Sequence, residues 1–239
     1  MICYTQFKYD RTDFLRPCIY IQEATDMIEM MTKSPEELGE AVVKALSANR
    51  FDASYLPNSH EAIRQILSMI PEDATVGISG SKTIESLGLA ELLRDRGNTV
   101  LWHNEPGLTP EKSMEYRHGQ LACDVFLTSA NAITLKGELV NRDGVGNRVA
   151  AMIFGPKKVI VVAGTNKIVE NLDAAELRIR TVAAPLNNKR LNRPNPCVKT
   201  GVCMDCQTPT RICNVTTIIS KKPSLTDLSV LIIGEELGF

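Results

Sequence analysis

The stretch from Asp124 to Lys167, DVFLTSANAITLKGELVNRDGVGNRVAAMIFGPKKVIVVAGTNK, constrains this chain more than any other. Two unbroken apolar runs, Val125 to Leu127 and Val159 to Ala163, bracket a polar, glycine-rich middle. Runs that are apolar on both faces suit the interior of a sheet covered on both sides. Between them, Ile133 to Leu135 and Glu138 to Val140 flank Lys136-Gly137, the pattern of a tight turn in a small β-hairpin. A helix is predicted from about Asn147, with Val149, Met152 and Ile153 on its apolar face and Gly155-Pro156 as its stop. The second apolar run empties into Gly164, Thr165, Asn166 and Lys167. Parallel sheets bind ligands beyond the carboxyl ends of their strands, which makes these four residues candidate ligand contacts.

The rest of the chain alternates helix and strand patterns. Ser34 is placed to cap a helix with Pro35 at its first position and Glu36 and Glu37 in its first turn, where acids suit the positive end of the helix dipole. Further strands are predicted at 51–56, 75–79, 99–102, 215–219 and 228–233, and further helices from Asn58 or Ser59 and at 84–96, 110–121 and 173–190. Alternation of this kind predicts an α/β fold, a three-layer, doubly wound, mainly parallel sheet carrying the small hairpin and a cysteine-rich loop. One domain is expected over residues 34–239, with 1–33, which show no sustained period, as an amino-terminal arm.

The strand at 75–79 ends in Ser79, Gly80, Ser81, Lys82 and Thr83 ahead of a helix. Strand, small-residue loop and helix present backbone N–H groups to an anion, although the Walker spacing is absent and a plain tight turn accounts equally for Gly80. This loop, Ser129 and Asn131, and Gly164 to Lys167 are expected to meet at one sheet edge around a small anionic ligand. His103 and Asn104 fall at another strand end, where no partner carboxylate can be assigned, so a structural hydrogen bond is the expectation for His103. Glu235 and Glu236, after the last strand, either reach the same crevice or form an exposed chain end. Cys123 reads as core filler and His60 as solvated. Arg178, Arg180, Lys189, Arg190 and Arg193 read as a solvated face, or as a docking surface for an acidic redox partner.

With 27 basic against 28 acidic residues there is no basic footprint, so nucleic acid is not an expected partner. No apolar run approaches the roughly 18 residues of a membrane helix, and the amino terminus lacks a signal architecture. The expectation is a cytoplasmic protein without a membrane partner. Seven cysteines in a reducing compartment point to metal or redox chemistry rather than disulfides. Four of them, Cys197, Cys203, Cys206 and Cys213, are spaced C-x5-C-x2-C-x6-C among Pro194, Pro196, Gly201 and Pro209. Prolines and glycine preclude a regular element over 194–214, and four thiolates from one compact loop are what a soft metal centre needs. Structural zinc usually takes two C-x2-C knuckles and here there is one; the first three cysteines lie nearer a ferredoxin spacing. Spacing decides only weakly between metals, since ferredoxins place their fourth ligand elsewhere; four thiolates satisfy four irons with no open position, so a 4Fe–4S cluster is expected, with zinc as the alternative.

The run GNRVAAMIFGPKKVIVVAGTNKIV, the earlier NAIT and GELVN, the cysteine-rich segment and the closing GEELGF together resemble the LUD family of lactate-utilisation proteins, of the LutC and LutB types, from about Pro35 to Phe239. More distantly the pattern resembles the superfamily of ribose-phosphate isomerase, glucosamine-phosphate deaminase and CoA transferases. The resemblance implies a doubly wound sheet with a ligand crevice, and a part in oxidising a small hydroxy acid such as lactate. It also makes an iron–sulfur centre plausible, although the LutB-type cysteine spacing differs. The alternatives left open are a phosphosugar- or acyl-binding protein with a structural zinc loop and a non-catalytic assembly subunit. Iron–sulfur redox partner subunits and a homo-oligomer are compatible with each.

Overall fold

Ser34 opens the described chain on a capping box. In this computed structural model, which describes residues 32–239, its hydroxyl accepts from the Glu37 N–H and the Glu37 carboxylate accepts from the Ser34 N–H. The arm expected over 1–33 lies, apart from its last two residues, outside the described residues. Helix α1 (Pro35–Ala48) leads to β1 (Asp52–Leu56), α2 (Ser59–Ser68), β2 (Thr75–Ile78), α3 (Lys82–Ser86), α4 (Leu89–Asp95), β3 (Thr99–Trp102), α5 (Pro110–Gln120) and β4 (Val125–Thr128). The single helix expected over 84–96 is broken in two at Gly88, which adopts a left-handed φ of 63°.

The hairpin of β5 (Ala132–Thr134) and β6 (Leu139–Asp143) follows, then α6 (Asn147–Ile153) and β7 (Lys158–Gly164). A single 3₁₀ turn at Thr165–Lys167 precedes β8 (Ile168–Val169) and α7 (Leu172–Arg178). A π turn over Ile179–Ala183 joins α7 to α8 (Ala184–Arg190). Pro185 accounts for it, because the ring removes the N–H that would bond four residues back and needs room against that turn. Next come α9 (Cys197–Thr200), β9 (Val215–Ile219) and β10 (Asp227–Ile233). The cysteine segment thus holds one helical turn where none was expected, started beside Pro196 and ended by left-handed Gly201.

Six strands form one parallel sheet in the order β1-β10-β7-β4-β2-β3. The chain steps outward from β2 to β3, then returns to lay β4 on the other side of β2. That reversal is a topological switch point, where the loops after β2 and β4 diverge and leave a crevice. One sheet face buries Val76, Ile78, Leu127 and Val162 under Ile66, Leu89 and Leu93. The opposite face buries Phe126, Val161 and Ile232 under Val42, Leu46 and Met152. Full burial of each large apolar side chain contributes about 1.5–3 kcal/mol. In α6, Val149 and Met152 are buried as expected, whereas Ile153 is 42% exposed because the helix stops there.

The hairpin is more than the expected appendage. It forms the middle of a second, four-stranded sheet in the order β8-β5-β6-β9. Ile133, Leu139, Ile168 and Ile219 join the core beneath the main sheet. Ala132, Val140 and Val169, on its other face, are covered by Ala175, Ile179 and Ala184 of the bulged helix. A hairpin apolar on both faces is not stable alone, and two flanking strands supply what it lacks.

Candidate anion-binding site

A cavity of about 220 Å³ opens at the switch point. Of the residues predicted to meet there, Gly80, Ser81, Lys82, Thr83, Ser129, Asn131 and Lys167 line it. Ser79, Gly164, Thr165 and Asn166 do not. The Ser79 hydroxyl is buried at the end of β2 without a hydrogen-bond partner among the described residues. Asn166 is turned to the chain end, accepting from the Leu237 N–H at 3.2 Å and donating to the Gly238 carbonyl at 3.4 Å. Gly164 lies under the same segment. Glu235 faces α2, where its carboxylate accepts from the Ser59 N–H and hydroxyl, so it does not reach the crevice.

At the floor lies Lys167, 3% exposed. Its Nζ donates to Thr83 Oγ1 at 2.6 Å and to Ser129 Oγ at 2.8 Å. Burial, followed by the charges of Arg178 and Arg148, lowers its pKa to about 7. The wall is cationic. Arg117, Arg142, Arg148, Arg190, Arg193 and Lys82 line it with Lys167, and Asp143 is the sole acidic side chain among the described lining residues. Burial pushes the Asp143 carboxyl up, but Arg148 and the Gly146 and Val145 N–H groups outweigh it and hold the pKa below its ordinary value. Arg142 is partly neutralised by a two-pronged pair with Glu176, the shorter contact 2.7 Å. Arg148 donates to Asn131 Oδ1 at 3.1 Å and to the Arg142 carbonyl at 2.7 Å, and Arg190 reaches the Gly80 carbonyl at 3.2 Å. Guanidinium groups match carboxylate and phosphate geometry alike, so the cavity suits a small anion.

The positive charge expected from the helix after Lys82 has a different source. Helix α3 has only five residues, and its N-terminal Ile84 N–H is already capped by Ser81. The charge comes instead from arginines on α5, β6, α6 and α8. Arg190 and Arg193, expected on a solvated face, line the cavity, and Arg178 points into the fold. Sequence reading missed Arg117, Arg142 and Arg148, since single arginines on amphipathic elements look like ordinary solvated charges. The one available signal is that Arg142 and Arg148 flank the glycine-rich turn Asp143–Gly146, directly after the hairpin.

A Cβ at Gly80 would sit 2.6 Å from Asn104 Nδ2, the end of a side chain that would have to turn aside. His103 keeps the expected structural hydrogen bond, with Nδ1 3.0 Å from Gln120 Oε1. Both protons of Gln120 Nε2 go to the Ile78 and Leu101 carbonyls, each at 2.8 Å. Nδ1 is therefore the protonated nitrogen, and Nε2 is left as an acceptor in the cavity wall. Burial, with Arg117, lowers the histidine pKa to about 4, which keeps it neutral near pH 7.

The cysteine loop adjoins this cavity. A small recess lined by Asn131, Arg142, Ala183, Asn187 and Ile212, all of which also line the cavity, is lined by Cys213 as well. Thiolate charge on Cys206 and Cys203, after burial, raises the Cys197 pKa; burial, then Cys203, raises that of Cys213 to about 11. Among the described residues, no three such side chains are already arranged to hold a metal ion. Cys123 is separate, buried in the core with its pKa raised to about 11 by burial.

Residues 39–233 match a family model described as the LUD domain. No curated protein matches. Among solved structures the chain is similar to a DUF162 family protein from Deinococcus radiodurans, at 15% identity and a TM-score of 0.49 over 84% of this chain and 99% of that one. It is also similar to ribose 5-phosphate isomerase A from Methanocaldococcus jannaschii, at 15% identity and 0.33 over 48% and 55%. A third similarity is to eIF2B delta from Chaetomium thermophilum, at 21% and 0.31 over 62% and 54%. No helix among the described residues is long and apolar enough to cross a membrane.

Proposed function

This chain belongs to the LUD-domain family, and from that premise we propose that it takes part, as an iron–sulfur enzyme or subunit, in oxidation of a small hydroxy acid such as lactate. The observation that supports this reading is the set of residues, Asn131, Arg142, Ala183, Asn187 and Ile212, shared by the cationic cavity and by a small recess that Cys213 also lines. A cavity of about 220 Å³ is below the ~300–1,000 Å³ of drug-sized ligand sites, in keeping with a ligand of few atoms. The ligand carboxylate is held by the arginines. Its hydroxyl faces Lys167, whose pKa of about 7 suits it to take up the hydroxyl proton.

Cys197, Cys203, Cys206 and Cys213 would hold the cluster, for their number and soft donor chemistry fit it, and ligation would have to bring thiols together that are not yet arranged for a metal ion. Such a cluster, when bound, supplies one-electron transfer. Converting a hydroxy acid to a keto acid breaks the O–H and Cα–H bonds: Lys167 takes the hydroxyl proton, and a hydride acceptor carried by a redox partner subunit would take the Cα hydrogen with both electrons, which then pass on singly through the cluster.

A second reading, a phosphosugar- or acyl-binding protein with structural zinc, draws on the guanidinium wall, which fits phosphate as well as carboxylate. Calorimetric titration of lactate and of a sugar phosphate into wild type, Lys167→Ala and Ser81→Ala separates the two. The first reading predicts lactate binding that weakens at least tenfold in Lys167→Ala. Preference for the sugar phosphate favours the second, and unchanged affinity in both variants places the site elsewhere.

A further inference from the structure

The end of β4 and the segments that follow β2 and β7 deliver three reactive side chains to one spot. Lys167 Nζ lies 2.8 Å from Ser129 Oγ and 2.6 Å from Thr83 Oγ1, and all three residues line the cavity. We propose that Ser129 and Lys167 form a nucleophile–base pair that gives this protein an acyl-transfer activity toward short anionic esters or thioesters. This activity is separate from hydroxy-acid oxidation and needs no metal.

Ser129 rather than Thr83 is the nucleophile. Thr83 Oγ1 donates to the Leu237 carbonyl at 3.2 Å while accepting from the lysine, so its proton is engaged and its role is to position Nζ. The Ser129 hydroxyl has only long alternatives, Thr83 Oγ1 at 3.4 Å and the Ala130 carbonyl at 3.3 Å. A serine hydroxyl is a weak nucleophile until an adjacent base takes its proton. Lys167 can be that base because it is partly neutral just above pH 7, held so by burial and by Arg178 of α7 and Arg148 of α6.

The step balances within the chain. Ser129 Oγ attacks the acyl carbon as its proton passes to Nζ, and the carbonyl π pair moves to oxygen. Collapse expels the alkoxide or thiolate, which takes the proton from Nζ. Water then repeats the sequence, releasing the carboxylic acid and restoring Ser129. Arg148 lines the same cavity and offsets the oxyanion charge. The remaining arginines favour an acyl group that carries a carboxylate.

The test is stopped-flow reaction of the full chain with 4-nitrophenyl acetate and with the monoanionic 4-nitrophenyl succinate, followed by peptide mass mapping. The expected result is a nitrophenolate burst, faster with the succinate ester, with the acyl group on Ser129 and a rate that rises with pH through an apparent pKa near 7. Ser129→Ala should abolish the burst and Ser129→Cys should restore part of it. Lys167→Arg keeps a cation but removes the base, and should slow acylation by about 10²–10⁴-fold. Circular dichroism on each variant establishes that it is folded. No burst in the wild type, an acyl group on another side chain, or a burst that survives in folded Ser129→Ala would overturn the proposal.

Discussion

Arg178 Nη1 donates to the carbonyl oxygen of Asn131 at 2.7 Å, and its Nε donates to the Asn166 carbonyl at 3.1 Å. One guanidinium on α7 thereby ties together the loops after β4 and β7, both of which hold cavity-lining residues. Arg178→Met should leave two carbonyls without their charged donor and cost about 2 kcal/mol. It should also raise the Lys167 pKa by removing a neighbouring cation. Urea denaturation of the variant tests the first effect, and the pH dependence of ligand binding tests the second.

The sheet was legible because its strands are extreme. Val125 to Leu127 and Val159 to Ala163 are apolar on both faces, and Ser129 and Lys167, which follow them, lie at the cavity floor. Caps were legible for a chemical reason, since Ser34 leaves the same mark in sequence as in structure, and of the two candidates Asn58 and Ser59 it is Asn58 that caps. The second sheet was hidden, because β8 is two residues long and carries no period, and β9 gives no sign of its partner across the cysteine loop. The cationic wall was hidden because Arg117, Arg142 and Arg148 converge only through tertiary structure. Arg190 was misassigned to solvent for the same reason, since the turn set by Pro185 decides which way the end of that helix faces.

Lys167 makes stability depend on pH with a definite sign. Its pKa is about 7 when folded against 10.5 as the ordinary value, so between these limits the unfolded chain binds the extra proton. Stability therefore rises with pH across that interval, and the full penalty applies below pH 7. Denaturation midpoints of wild type relative to Lys167→Met should climb between pH 7 and 10 and run parallel below pH 6. Anion affinity should move oppositely, falling as pH rises through 7 and the ammonium loses its charge.

Gly137 makes the hairpin turn at a φ of 74°, and an added Cβ would lie 2.7 Å from the Ala45 backbone carbon. Asn49 Nδ2 clamps the same turn by donating to the Lys136 carbonyl at 2.7 Å. Gly137→Ala meets both a left-handed backbone and a backbone wall that cannot yield, so a loss of more than about 1–2 kcal/mol is expected. Asn49→Ala should cost about 1 kcal/mol. Thermal unfolding of the two variants should rank them in that order.

Asn195 organises the cysteine loop. It is buried, donates to Asn188 Oδ1 at 2.6 Å and to the Thr210 carbonyl at 3.0 Å, and accepts from the Thr210 hydroxyl at 2.7 Å. The loop therefore has an anchor of its own besides any metal. Asn195→Ala should loosen residues 194–214, seen as faster amide exchange there, while the sheet retains its protection. Cys203→Ser should instead release bound metal and leave the Asn195 anchor in place.

Whether the four cysteines hold a cluster is measured directly by metal and acid-labile sulfide content after anaerobic purification. Iron and sulfide together, about four of each per chain and lost in Cys203→Ser and Cys206→Ser, are the predicted result for a 4Fe–4S centre. Stoichiometric zinc without sulfide would contradict the redox reading.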